Sequence, residues 1–164
     1  MIYKQILAVS MLLLTAGCTT FSADGGMDAV NELTRSRIPH EATWQRTEKD
    51  TQAARTATQA LLAKPLPVDD AVKVALLNNR GLQAAYADLG IAEADVVQAG
   101  RLRNPGFSFT RLQRADEIEI ERTFMFDVLG LVTMPLRTEL ERRRFALTQA
   151  RVAADVFSPH PAPS

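Results

Sequence analysis

Cysteine is almost absent: Cys18 is the only one in 164 residues. An internal disulfide framework and a cysteine-clustered zinc site are therefore both excluded. His40 stands alone, with no partner at metal-ligand spacing. The chain carries no Ser/His/Asp set, no HExxH, no glycine-rich phosphate loop and no cysteine–histidine cluster. Its acidic residues alternate along a strand pattern or sit in helix turns, and neither arrangement converges on a pocket. No enzyme, cofactor or metal is expected. Aromatics make up only 6% of the residues, which is thin for a conventional globular core. Charge of either sign is not in excess, with 19 basic against 19 acidic residues, so nothing pulls the chain toward nucleic acid. The one long apolar run, Ile6 to Ala16, is too short to span a bilayer as a helix.

That run has a different use. Lys4 precedes it and Leu14-Thr15-Ala16-Gly17-Cys18 ends it, which is the layout of an export signal. The ending resembles a bacterial lipobox, in which small residues precede a cysteine that is acylated and becomes the first residue after cleavage. Residues 1–17 are expected to be signal peptide and Cys18 the lipidation site. An ordinary secretory signal is the alternative. A multi-chain lipid anchor holds a protein to a membrane without a spanning helix. Thr19 rather than Asp follows the cysteine, which resembles sorting to the outer membrane.

Residues 18–64 read as a tether and a peripheral helix. Thr19 to Gly26 is small and polar. Ala29 to Ile38 is weakly helical up to Pro39, and Glu41 to Ala63 is helical with a narrow apolar face. Trp44 suits either a membrane interface or a packing anchor against another helix, and the second is preferred.

The chain is organised around Leu66 to Phe109. Pro65 and Pro67 suit a helix entry, and Asp69 and Asp70 complement the positive end of its dipole. Leu82, Tyr86, Leu89, Val96 and Gly100 then recur at three- and four-residue steps among many alanines. A helix over 68–103 would be about 54 Å long, too long for a compact domain of this size.

This stretch resembles the opening segment of TolC-like outer-membrane efflux factors, the outer-membrane lipoproteins of RND-type efflux systems. The resemblance lies in the Asp69-Asp70-Ala71-Val72 start, Ala75-Leu76 followed by Asn78-Asn79, and Leu82 three residues on. The alanine-rich helix and Asn104-Pro105 before an aromatic strand complete it. It covers about Leu66 to Phe157. Two features depart from the family: Pro67 replaces a capping Thr or Ser, and Arg80-Gly81 replaces a proline-containing pair, which softens the first bend.

Strands are expected over 106–112 and 117–129. In the second, Ile118, Ile120, Arg122, Phe124, Phe126 and Val128 share one parity, and Glu117, Glu119, Glu121, Thr123, Met125 and Asp127 the other. Side chains alternate across a strand, so one face is apolar and one acidic. Such a pattern fits a barrel strand with lipid outside and water inside, and equally a half-buried hairpin in a soluble domain. The export signal and the resemblance favour the barrel. Phe107, Phe109, Ile118, Ile120, Phe124 and Phe126 are then the lipid-facing candidates, and Glu117, Glu119, Glu121 and Asp127 the lumen-facing ones. Alternate glutamates on a strand lie about 6–7 Å apart, too far to grip one cation together; a solvated lumen wall is the plainer reading. Arg122 interrupts the apolar face. Either a glutamate on a neighbouring strand pairs with it, or the strand is not at the bilayer midplane.

Leu129 to Met134 is expected to continue or bend the strand. Pro135 then opens a return helix over 136–157, with Leu136, Leu140, Leu147 and Ala154 on one face and Glu139–Arg143 as a pair one turn apart. Arg142-Arg143-Arg144 forms a basic patch near the barrel mouth, facing solvent or lipid headgroups. Residues 158–164, with three prolines, are non-helical and look foreign to the pattern before them.

The expected fold class is mainly α with a β-hairpin: coiled-coil-like helices plus two transmembrane-barrel strands, over residues 65–157. The resemblance makes this a partial first repeat of a trimeric α/β-barrel channel, cut short in the second helix. What it implies is an outer-membrane channel component of a tripartite efflux system, lipid-anchored and facing the periplasm. Its partners would be outer-membrane lipid, two further copies in a homotrimer, a periplasmic adaptor and an inner-membrane pump. The alternative is a lipid-anchored periplasmic coiled-coil lipoprotein that binds partners and forms no pore.

Overall fold

The computed structural model describes residues 20–114 and 117–158. The export signal, Cys18, the Ala115-Asp116 tip of the hairpin and the tail after Ser158 lie outside the described residues. The described chain is mainly helical, with one small two-stranded antiparallel sheet. In order, its elements are α1 (Met27–Thr34), α2 (Glu48–Leu62), α3 (Val68–Asn78), α4 (Arg80–Ala99), β1 (Gly106–Arg114), β2 (Glu117–Met125) and α5 (Val128–Phe157). Among the described residues, no helix is long and apolar enough to cross a membrane.

The single helix expected over 68–103 is two helices. Asn79 leaves the helical backbone at ψ 108°. Its Oδ1 accepts the N–H groups of Gly81 at 2.8 Å and Leu82 at 3.2 Å, and so caps α4. The Leu77 carbonyl loses its helical donor to that cap. The Gln45 side-chain amide donates to it instead at 2.7 Å. Asparagine is among the strongest N-caps, but continuous alanine-rich periodicity on both sides of it reads as one helix. The helix also stops four residues early, at Ala99, and residues 100–105 form an irregular link to β1. At the start of α3, Pro67 offers no side-chain cap.

Along α4, Leu82, Tyr86, Leu89 and Val96 are buried, as their spacing implies, and Val97 is buried beside them, while Gly100 is only half-buried. Glu93 sits in the same stripe, and its Oε1 accepts the Ser22 N–H at 2.6 Å. On the return helix the packed face is not the expected one. Leu136, Leu140, Leu147 and Ala154 stay exposed, while Thr138, Val152, Ala153 and Val156 are buried and Phe145 packs against the core. Both faces repeat at helical spacing, so periodicity alone does not choose between them.

The core lies at the end of the α4–α5 pair away from the hairpin. Met27 and Val30 of α1 close over Leu76, Leu82, Tyr86, Leu89, Val152 and Val156. Gly26 allows that closure. It holds φ 81°, and a side chain there would strike the Phe145 ring. The Tyr86 hydroxyl is buried without a hydrogen-bond partner, and burial pushes its pKa up to about 12.

An extended strap over 39–47 replaces the first part of the helix expected from Glu41 to Ala63. Asn31 exchanges two hydrogen bonds with the Ala42 backbone. Gln83 does the same across Thr43 and Gln45. Side-chain amides thus serve the strap as a neighbouring strand would. Trp44 lies in the strap as a packing anchor: its ring covers Gly90 of α4, where any side chain would collide with it. The Arg46 guanidinium stacks 5.3 Å from the ring centre. Thr47 then opens α2 through a capping box with Asp50. His40 is half-buried.

The end of the hairpin also differs from the expected pattern. β2 stops at Met125, and α5 begins at Val128, eight residues before the expected start. Asp127 is the cause. Its Oδ1 accepts the Gly130 N–H at 2.7 Å and its carbonyl accepts the Leu131 N–H, an N-cap that turns the chain into helix. Pro135 therefore lies inside α5. One turn before it, the Gly130 carbonyl takes a 2.9 Å hydrogen bond from Arg137.

Candidate membrane hairpin

β1 and β2 pair antiparallel over nine residues each, from Gly106 opposite Met125 to Arg114 opposite Glu117. At roughly 3.3 Å per residue, nine residues span about 30 Å. A transmembrane strand needs about nine to eleven residues, so these reach the lower bound.

The register sorts the candidates into two faces. Phe107 stands opposite Phe124, Phe109 opposite Arg122, Arg111 opposite Ile120, and Gln113 opposite Ile118. Five of the six lipid-facing candidates (Phe107, Phe109, Ile118, Ile120 and Phe124) thus share one face. The sixth, Phe126, lies beyond β2. On the other face Ser108 meets Thr123, Thr110 meets Glu121 and Leu112 meets Glu119. Thr123 Oγ1 donates to Glu121 across 3.5 Å. Glu117 holds the ladder position at the outer end, in the same parity. Asp127 is not on this face. It is the α5 N-cap, and Arg103 Nε approaches it to 3.8 Å.

Neither face is buried. Phe107 and Phe124 are both 68% exposed, and Glu119 and Glu121 are exposed on the reverse side. Among the described residues no helix packs extensively against either strand, and no third strand pairs with either edge. A lone two-stranded hairpin is marginal in water. This one leaves an aromatic face open as well, and an apolar patch of that kind marks an interaction surface.

Within the second strand's own sequence Arg122 is the single break in the apolar face. The register adds Arg111, one ladder step further along the same face. Opposite Arg122 stands Phe109 rather than a glutamate. The α5 face carrying Leu136, Leu140 and Leu147 is a second open apolar surface, with Leu136 74% exposed. The Glu139–Arg143 pair closes at 2.9 Å, and Arg144 pairs with Glu141 at 2.7 Å.

Among the described residues, no group of histidine, cysteine and carboxylate side chains could hold a metal ion. No family model matches the chain, and no curated protein or solved structure matches it either.

Proposed function

We propose that this chain is an outer-membrane channel component of the tripartite efflux type. Its hairpin joins strands of further copies to form a barrel wall, and solutes pass through without chemistry. One observation carries the reading. The hairpin projects from a helical pair with two unlike faces, one aromatic and one acidic, and both are uncovered. A barrel supplies what each face and edge lacks: lipid outside, water inside and partners for the strand edges. The open face of α5 fits further helices of a periplasmic tube. On this reading Cys18 is the lipid anchor, the assembly is a homotrimer, and an adaptor and an inner-membrane pump complete the path.

Arg111 and Arg122 favour a second reading. Arginine on a lipid face costs about 2–4 kcal/mol at the bilayer midplane. A lipoprotein that binds a protein partner through the hairpin, without a pore, escapes that cost.

Spin labels on Phe107→Cys and Ser108→Cys, in protein reconstituted into lipid vesicles, separate the two. A barrel strand gives high oxygen accessibility at 107 and high accessibility to a water-soluble relaxing agent at 108. Water-like accessibility at both positions removes the barrel and leaves the partner-binding lipoprotein.

A further inference from the structure

Where α4 ends and the link to β1 begins, the link and the facing turns of α5 enclose an open cleft of about 640 Å³. Arg101 and Arg103 line it from the link, and Arg137 and Arg144 from α5. Asp95 and Glu141 are the carboxylates in its wall. The C-terminus of α4 adds a negative charge of about one half. A single arginine would offset that, and the cleft holds four.

The arginines are unequally engaged. Arg144 is committed to Glu141 at 2.7 Å. Arg103 stays 3.8 Å from Asp127, beyond hydrogen-bonding length. Arg137 is aimed by its bond to the Gly130 carbonyl, and its buried Nε has no partner. A guanidinium has five N–H donors, so most of those on Arg137 are unused. Arg101 is exposed and makes no ion pair among the described residues. Two arginines without a carboxylate partner among the described residues, from two elements, therefore line one cavity that carries net positive charge.

We propose that this cleft binds a phosphate group, held between Arg101 and Arg137 with Arg103 as a third cation. Planar guanidinium forks match the paired oxygens of phosphate. The group could belong to a lipid headgroup or to a free phosphate. The lipid source rests on the membrane reading above, because it needs the base of the hairpin to lie at headgroup level; the chemistry of the cleft does not.

The test uses the full-length protein in non-ionic detergent, titrated with inorganic phosphate by calorimetry. Saturable binding is expected, roughly tenfold weaker in Arg101→Gln and in Arg137→Gln. It should be unchanged in Arg151→Gln, whose side chain is exposed and lies outside the cleft. Arg137 also supports the Gly130 carbonyl, so Arg101→Gln, in the exposed link, guards against a folding artefact. A second arm floats the protein with phosphatidylcholine vesicles, with and without phosphatidylglycerol. A gain with phosphatidylglycerol that Arg101→Gln abolishes assigns the phosphate to a headgroup. Phosphate binding without such a gain assigns it to a free anion and leaves the cleft intact as a site. If neither probe responds to Arg101 and Arg137, or if Arg151→Gln weakens binding equally, the proposal is overturned.

Discussion

The two ends of the molecule obey opposite rules. At one end α1, the strap, α3, α4 and α5 bury Tyr86, Leu89 and Val30 completely. The strap's backbone groups find partners in Asn31 and Gln83. At the other end the hairpin leaves its phenylalanines and isoleucines at half exposure or more. The first end is finished by its own sequence. The second is left open by the described residues.

Paired substitutions test that contrast most directly. Tyr86→Ala should cost about 3–5 kcal/mol, the usual range for emptying a buried aromatic site. Phe124→Ala, measured away from membranes, should change stability by no more than about 0.5 kcal/mol, as exposed positions do. Urea unfolding followed by helical circular dichroism reads both. A comparable loss from Phe124→Ala would mean that the hairpin is folded onto the helices, and the contrast would fail. Tyr86→Phe sharpens the result. It removes a buried hydroxyl that has no partner, so it should be neutral or stabilising by about 1 kcal/mol.

The difference between the ends also explains what the sequence made legible. The α4 stripe was readable because a buried helix face repeats every three or four residues. The faces of the hairpin were readable because strand parity needs no tertiary information. What escaped were the points where one side chain overrides a pattern. Asn79 cuts a continuous periodicity with a single amide. Asp127 fits the acidic parity of β2 and yet serves as a helix cap. The choice between the leucine face of α5 and the Thr138, Phe145, Val152 and Val156 face is made by tertiary packing, because both repeat at helical spacing. The arginine cleft was out of reach for the same reason: Arg101 and Arg137 are far apart in sequence and meet only after the chain has turned back.

The break at Asn79 belongs to the finished end, and its removal should have an intermediate effect. Asn79→Ala deletes the acceptor for two N–H groups at the start of α4. N-cap losses of this type cost about 1 kcal/mol. Asn79→Asp, which keeps the acceptor and places a negative charge at the positive end of the dipole, should hold or slightly exceed wild-type stability. If Asn79→Ala is neutral, the two helices can fuse without penalty, and the Gln45 bond to Leu77 is incidental.

The smallest effect is expected at the edge of the packed end, where Asp50 and Asp24 are fixed by local hydrogen bonds. The Thr47 hydroxyl and backbone N–H hold the Asp50 carboxyl below its ordinary 3.8. The Asp28 backbone N–H does the same for Asp24. A folded-state pKa below the unfolded one favours the folded state while the group is ionised. That contribution is complete above the unfolded value and fades as pH falls through the folded one, so the loss lies below about pH 4. Thr47→Ala removes the hydroxyl and should shrink the Asp50 part of this acid limb, leaving the Asp24 part, without altering stability at neutral pH by more than about 1 kcal/mol. Salt should change the limb little if hydrogen bonds govern it, and should erase it if long-range charge does. An acid limb that Thr47→Ala leaves unchanged, or that salt erases, would locate the acid sensitivity elsewhere.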